Sequence, residues 1–467
     1  MCGIVGILNL SNQHPIEEAT LRRMLGMIRH RGPEEFGMYV DSDVGLGNAR
    51  LSIIDLAGGQ QPLTNEKETL WMVLNGEIYN YIELRAELEA RGHHFATNTD
   101  AEVVIHLYEE HGPACLDHLN GPFALAIWDN QRRVLFLARD RVGIRPLFYA
   151  QRDGVLLLAS EIKALLADRR VSAHIDPISL DQVFTFWSYL PSRTIFRDIF
   201  EVPPGHYAIV QDGHLQIKRY WGLSFPTAPA GTTRSVDEAA EELLALLTDA
   251  TRLRLRADVP VGAYLSGGLD SSTITALIRQ HTGTHLETFS IAFSDPAFDE
   301  SVHQQRMAQF LGTDHHVVHC DQADIGRVFP DVIWHAEMPM LRTAPAPLFL
   351  LSALVKRHNL KVVLTGEGSD EFLGGYNIYK EAKVRRFWAK NPESTMRPLL
   401  LQRLYPYVGG LSGSNAYLSA FFKERLSDVD APDYSHLIRW RNSARLKRFF
   451  SRELKATLAE TNGRPIE

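Results

Sequence analysis

Cys2 directly follows the initiator Met1 and precedes Gly3-Ile4-Val5-Gly6. Removal of the methionine from so small and apolar a setting would leave a free α-amine on the residue that carries the thiol. An α-amine has an ordinary pKa of about 7.7–8.0 and can take a proton from its own thiol near neutrality. Taken alone, Cys2 could equally be a small residue opening a strand. A second chemistry-bearing run, VPVGAYLSGGLDSSTITAL over 259–277, has the order strand, glycine turn, helix. Backbone N–H groups at such a turn and the helix N-terminus attract anions, and Ser266, Ser271 and Ser272 can add hydroxyls. The GKS or GKT ending of a Walker A loop is absent. Asp270 sits beside the turn, where a carboxylate meets phosphate only through a cation, which suggests magnesium. A third run, TGEGSDEFLGGY over 365–376, follows the apolar KVVL, so its acids fall at the carboxyl end of a strand, where open α/β sheets bind ligands. Ser369 and Asp370 also suit a plain helix N-cap.

Five segments taken together carry a resemblance. MCGIVGI, HRGPEEFG at 30–37, ARLSIIDL at 49–56, LNGEIYNY at 74–81 and TNTDAEVV at 97–104 resemble, in order, the segments of class II glutamine amidotransferases. SGGLDSS looks like the pyrophosphate loop of ATP pyrophosphatases, and TGEGSDEFLGGY resembles the second signature of glutamine-hydrolysing asparagine synthetases. The resemblance implies Cys2 as nucleophile, with Asn75 and Gly76 stabilising the oxyanion. In the glutamine pocket it implies Arg50 for the α-carboxylate, Glu77 and Asp100 for the α-ammonium, and Ile54. A planar guanidinium suits the carboxylate, and a glycine at 76 suggests close backbone approach to the substrate. Asn-Gly is also a common turn. His30 and Arg31 are expected to shape a loop. For the nucleotide, the resemblance implies Tyr264, Ser266, Gly267, Gly268, Asp270, Ser271, Ser272, Ile291, Thr365 and Gly366. Asp270 and Asp370 would hold magnesium, and Glu367 would act at the adenylation or amidation step. Arg342, within EMPMLRTAPAP at 337–347, is a candidate for the acceptor acid. His315 and His316 are adjacent on a strand, facing opposite ways, and are expected to be structural.

The elements expected to position these groups change character along the chain. Up to Trp221, strand-like CGIVGIL, VGLGNARLSII, TLWMVL, FALAIWD and VLFLA alternate with helical stretches at 79–91 and 101–110. Pro, Gly, Ser and Thr then crowd residues 222–235, the expected linker. From residue 236 helices and strands alternate, which favours a parallel sheet. The expected fold is an N-terminal α+β four-layer αββα sandwich of the N-terminal-nucleophile hydrolase kind over 1–221. An α/β parallel-sheet domain of the ATP-pyrophosphatase, adenine nucleotide α-hydrolase-like kind follows over 236–467. Members of the resembled family continue with an RxPFLD-like segment and a later lysine-bearing one. Neither occurs here, so the second domain is expected to be incomplete at its end.

The 467 residues exceed one core. With 45% hydrophobic and 22% charged residues the chain has the balance of an ordinary globular protein. A formal charge of -7 without a basic block argues against nucleic acid. The 3 cysteines lack CxxC spacing, so neither a disulfide framework nor a structural zinc site is expected. The N-terminal apolar run is too short to span a bilayer and lacks a basic leader, leaving the cytoplasm as the expectation. The resemblance further implies ATP and Mg2+, the substrates glutamine and aspartate, an internal ammonia path and a homodimer. Other readings of the same residues are a different carboxylate acceptor (secondary metabolite, peptide or surface sugar acid), a glutaminase-only fragment, or a non-catalytic binding subunit.

Overall fold

The computed structural model describes residues 1–11, 15–225, 234–282, 285–405 and 414–461. Residues 226–233 of the expected linker and 462–467 of the expected second domain lie outside them. The chain forms two compact units, one of Met1–Asp176 with Pro191–Thr365, the other of Pro177–Leu190 with Gly366–Glu467.

The first unit begins with β1 (Gly3–Asn9), α1 (Glu18–Met27), β2 (Glu35–Val40), β3 (Val44–Arg50), β4 (Leu63–Thr64), β5 (Leu70–Gly76), α2 (Tyr81–Ala90) and α3 (Glu102–His111). It continues with β6 (Phe123–Asp129), β7 (Val134–Arg139), β8 (Phe148–Arg152), β9 (Val155–Ala159) and α4 (Ile162–Leu165). The helix α5 (Pro177–Phe186) belongs to the second unit, and β10 (Phe200–Glu201), β11 (His206–Gln211) and β12 (His214–Arg219) return to the first. Two antiparallel sheets of six strands result, in the orders β10-β8-β9-β1-β3-β2 and β12-β11-β7-β6-β5-β4.

The period of two in a strand sorts the side chains into layers. In β1, Ile4 and Leu8 enter the core between the sheets, while Val5 and Ile7 pack outward with Leu21, Met24 and Leu25 of α1. In β6, Ala124, Ala126 and Trp128 face that inner core, and Leu125 and Ile127 face Val104, Ile105 and Tyr108 of α3. Both faces of the central strands are thus buried, which is why these strands read as unbroken apolar runs rather than alternating ones. The layers are αββα, the N-terminal-nucleophile hydrolase architecture.

Strand β3 is shorter than the apolar run suggests. The Leu51 N–H donates to Cys2 Sγ at 3.4 Å and the Ser52 N–H to Glu34 Oε2 at 2.8 Å. Both donors leave the ladder, so the segment after Arg50 becomes a loop instead of continuing the strand.

After α6 (Val236–Arg254) comes an α/β layer of β13 (Val261–Tyr264), α7 (Leu269–His281), β14 (Glu287–Phe293), α8 (Ser301–Leu311), β15 (Asp314–Cys320), α9 (Gln322–Ala336), α10 (Pro345–Arg357) and β16 (Val362–Leu364). Its sheet is wholly parallel, in the order β15-β14-β13-β16. The order reverses between β13 and β16, which makes their carboxyl ends the crevice where such sheets take ligands.

The second unit is helical: α5 with α11 (Ser369–Leu373), α12 (Asn377–Ala389), α13 (Leu399–Leu404), α14 (Ser414–Lys423), α15 (Leu437–Ala444) and α16 (Arg452–Thr461). Trp388, Leu401, Phe422, Leu426 and Ile438 form its core. Buried Arg385 donates to the carbonyls of Phe422, Glu424 and Tyr434. No helix among the described residues is long and apolar enough to cross a membrane.

Candidate active site

Cys2 lies at the start of β1, and its sulfur is held against the loop after β3. The Leu51 N–H donates to it, and Sγ stands 3.7 Å from the Leu51 carbonyl. On the other side, Arg31 Nε donates to the Cys2 carbonyl at 2.9 Å. Burial pushes the Cys2 thiol up, an effect partly offset by the Leu51 N–H and the nearby terminal ammonium. The amino group of Met1 moves the opposite way, from 8.0 to about 6, because burial disfavours its charged form and Arg31 and Arg145 repel it. Burial thus disfavours charge on both the thiol and the neighbouring amine.

Asn75 is on β5, which packs across the sandwich from β1. It is 0% exposed, and neither its amide nitrogen nor its amide oxygen has a hydrogen-bond partner. An unpaired buried polar atom costs about 1–3 kcal/mol, a price that an apolar residue of similar size would avoid. Gly76 follows, with a packing reason of its own. A Cβ there would collide with the Pro122 carbonyl oxygen and lie 2.7 Å from Phe123 Cα, so the missing side chain serves strand approach, where the sequence suggested approach to a substrate.

Half-buried Glu77 and buried Asp100 form an acidic pair. The Ile78 N–H donates to Asp100 Oδ2 at 2.6 Å, and Thr99 Oγ1 to Oδ1 at 3.2 Å. Burial nevertheless raises the Asp100 carboxyl from 3.8 to about 6. Burial, followed by repulsion from Asp100, also raises Glu77 well above the usual range. A cation placed between them would relieve both effects. Glu77 and Arg50 are close enough to Cys2 to bias its ionisation, in opposite directions.

Arg50 is buried, with Nη1 donating to Glu35 at 2.8 Å and Nη2 to the carbonyls of Ile54 at 3.1 Å and Asp55 at 2.7 Å. These bonds fix the plane of the guanidinium. Ile54 contributes through its main chain, its side chain being 5% exposed. Two arginines carry more than the sequence suggested. Arg31 joins Glu161 through Nη1 at 2.8 Å while its Nη2 is buried without a partner. Arg145 is absent from the sequence-based set, yet its Nε is buried and unpartnered, and burial lowers its pKa beside Tyr79 and Glu77. The one available signal is its place in RDRVGIRPLF, an arginine amid apolar residues after a strand.

The nucleotide candidates are dispersed more widely. Gly267 has φ of +81° and a Cβ there would lie 2.8 Å from Gln304 N, so the turn after β13 requires glycine. Gly268 caps α7 at φ of -73° and has no such requirement. Ser266 Oγ and Ser271 Oγ are 2.9 Å apart, and Ser266 Oγ accepts from Gly268 N at 3.2 Å. Ser272 Oγ is buried with no partner. Asp270 occupies the first turn of α7. Tyr264 meets Ser352 at 3.2 Å, and the Ile291 carbonyl already accepts from Gln304 Nε2 at 2.9 Å. Thr365 ends the first unit beyond β16, whereas Gly366, Glu367 and Asp370 belong to the second. There the Gly366 carbonyl accepts from Ser369 Oγ at 2.7 Å. Gly375 packs on the Asp370 carboxylate so closely that any Cβ would displace it.

Arg342 lines an open cleft of ≈ 1330 Å³ with Phe293, Ser294, Cys320 and Pro347, at the carboxyl ends of β14 and β15. His315 and His316 turn to opposite neighbours, Thr288 at 3.0 Å and Glu287 at 3.2 Å.

The glutamine amidotransferase domain family matches residues 1–221, and the asparagine synthase family matches residues 242–464. The glutamine-hydrolysing asparagine synthetase 1 of Bacillus subtilis is 36% identical over 406 residues, 86% of this chain and 63% of that protein. Asparagine synthetase B of Escherichia coli, also glutamine-hydrolysing, is 33% identical over 419 residues, 87% of this chain and 69% of that protein. The amidase chry2 of Gibberella zeae is 38% identical over 392 residues, 80% of this chain and 57% of that protein. The chain thus spans between 57% and 69% of the length of these relatives.

Proposed function

Because the chain belongs to the glutamine-hydrolysing asparagine synthetase family, we propose that Cys2 hydrolyses glutamine and that the ammonia released amidates an ATP-activated carboxylate, that of aspartate. The observation that carries the first half is Asn75, a wholly buried amide whose two polar atoms have no partner. Its N–H donors are available to the oxygen that becomes negative when a thiolate adds to the glutamine carboxamide. The N–H of Gly76 is the second donor of this hole.

With Met1 removed, the α-amine of Cys2 takes the proton of its own thiol. The sulfur attacks the carboxamide carbon, the C–N bond breaks, and the amine returns the proton to the departing ammonia. Water then opens the thioester to glutamate. Glu77 and Asp100 hold the glutamine ammonium, Arg50 holds the α-carboxylate, and Ile54 helps to frame the pocket.

In the second half, Ser266, Gly267, Gly268, Ser271 and Ser272 receive the pyrophosphate portion of ATP. Tyr264, Ile291, Thr365 and Gly366 border the nucleoside. Two carboxylates, Asp270 and Asp370, are the hard oxygen donors that magnesium takes, and the tight seat of Asp370 against Gly375 fits a fixed ligand. Magnesium, when bound, would neutralise phosphate charge. Glu367 acts as ammonia replaces AMP on the activated carboxylate, giving asparagine, AMP and pyrophosphate. Arg342 takes the acceptor acid. The domains are taken as 1–221 for the glutaminase, 222–235 for the linker and 236–467 for the synthetase, a division that the matches over 1–221 and 242–464 support, and an ammonia path, a homodimer and a cytoplasmic site complete the reading. The amidase relative favours one alternative, a carboxylate acceptor other than aspartate.

Glutamate and ammonia release by the parent and by Cys2→Ala, with mass determination of the N-terminus, tests the first half. We expect loss of hydrolysis in the variant, and equal rates would refute the assignment. Pyrophosphate release across a panel of acids separates aspartate from other acceptors, and release indifferent to every acid would refute the second half.

A further inference from the structure

A second cluster of ligating side chains lies in the N-terminal sandwich, apart from the residues assigned to Cys2 chemistry. Glu66 is in the turn between β4 and β5, His93 follows α2, and His106 and Glu109 lie about one turn apart on α3. One ligand atom from each lies within 4.8 Å of each of the others. His106 is 0% exposed, and neither of its ring nitrogens has a hydrogen-bond partner. The nearest carboxylates, Glu66 at Nδ1 and Glu102 at Nε2, stand 3.7 Å away, outside hydrogen-bonding range. A buried imidazole with both nitrogens idle is costly unless something else engages it.

We propose that Glu66, His93, His106 and Glu109 form a zinc site. Two imidazole nitrogens and two carboxylate oxygens are a donor set that zinc accepts in tetrahedral array, and the two carboxylates balance its charge. Calcium and magnesium prefer all-oxygen shells, which the two imidazoles disfavour. The surroundings orient the donors. His93 Nε2 lies 3.0 Å from Glu110 Oε1, which turns Nδ1 toward Glu66 at 3.7 Å, the carboxylate–histidine arrangement that fixes metal-ligand tautomers. The His94 N–H donates to Glu66 Oε1 at 2.9 Å, and Asn65 Nδ2 donates to Glu109 Oε2 at 3.3 Å. Bond lengths to zinc of about 2.0–2.2 Å require the four atoms to close in by roughly 1 Å. Glu66 and Glu109, with side chains 31% and 25% exposed, have the freedom to do so.

The consequence is mechanical. The metal ties the turn that leads into β5, the strand of Asn75 and Gly76, to α3, which begins just beyond Asp100. It braces two walls of the glutamine pocket without touching substrate.

The competing account is a metal-free cluster in which the His93 and His106 rings pair with Glu66, Glu102 and Glu110, and the test separates the two. The untagged full chain is stripped with a chelator and titrated with zinc chloride against a chromophoric competitor, alongside His106→Gln and Glu109→Gln. Cobalt chloride supplies a visible spectrum that reports tetrahedral coordination. We expect one equivalent of zinc in the parent, weakened at least tenfold in each variant, and a cobalt spectrum that the variants lose. Should His106→Gln fail to fold, Glu109→Gln, partly exposed, carries the comparison alone. No stoichiometric binding by the parent, or binding that both variants retain unchanged, overturns the proposal and leaves the ion-paired cluster.

Discussion

Replacing Asp100 by asparagine sets the stability of the chain against its use of glutamine. The Asp100 carboxyl is fully buried beside Glu77 and rises from 3.8 to about 6. At ~1.4 kcal/mol for each tenfold change in proton affinity, ionising it in the folded state costs about 3 kcal/mol. The sign follows from proton linkage. The folded carboxyl binds its proton more tightly than the unfolded one, so stability falls as pH rises from about 4 to about 6, and the full penalty applies above that. Asparagine keeps an oxygen to accept from the Ile78 N–H, which now donates to Asp100 Oδ2 at 2.6 Å, and removes the charge. The variant should therefore be more stable than the parent at pH 7, by up to about 3 kcal/mol, with the gain vanishing near pH 4. Loss of a charged partner for the substrate ammonium should cost roughly 1.5–3 kcal/mol, or about 10–100-fold in the KM for glutamine. Denaturant unfolding at both pH values, with and without saturating glutamine, measures the first effect, and glutamate release measures the second. A variant less stable than the parent at pH 7, or one with unchanged KM, would refute the reasoning that this acidic pair is kept for a cation.

Asn75→Ala should lower kcat for glutamine hydrolysis by about 10²–10³ with little change in KM, because the amide acts only on developing charge; a change confined to KM would count against an oxyanion role. Glu161 is held well below the usual carboxylate range, where hydrogen bonds from His30, Lys163 and Arg31 outweigh its burial. Its contribution to stability is present above about pH 4.5 and is lost as pH falls toward the folded value. Glu161→Gln should destabilise the chain at pH 7 by about 3 kcal/mol and flatten this acid limb, as denaturant titration from pH 3 to 7 would reveal. Gly267→Ala, at φ of +81° with a Cβ 2.8 Å from Gln304 N, should cost at least about 1 kcal/mol and raise the KM for ATP in a pyrophosphate assay, whereas Gly268→Ala should be milder on both counts.

What the sequence discloses follows from the range over which each residue acts. Cys2, Asn75, Glu77 and Asp100 stand out in the sequence because each lies in a short run whose order and residue types are distinctive; the structure leaves buried Asn75 unpaired and raises the pKa of Cys2, Glu77 and Asp100. The layered sandwich was legible for a similar reason, since strands buried on both faces yield apolar runs separated by turns. Arg145 was not, because its significance comes from burial beside Glu77 and Tyr79, 60 or more positions away by chain number, and no local pattern encodes that. The end of β3 at Arg50 was misjudged for the same cause: two N–H groups are drawn off by Cys2 and Glu34 from other elements. Glu337 is a further case. Its carboxylate accepts from the N–H groups of Ile162 and Lys163 at 2.5 and 2.6 Å and faces Lys163 Nζ at 3.0 Å. Lys163 meets Glu161, Glu161 meets Arg31, and Arg31 holds the Cys2 carbonyl. Four buried or half-buried charged groups thus connect the stretch at 337–347, read from sequence only as an acceptor-binding segment, to the main chain of the nucleophile. Removing one member of such a chain leaves its neighbour charged and desolvated, so a substitution at Glu337 should register at Cys2 even though the sequence places the two 335 positions apart.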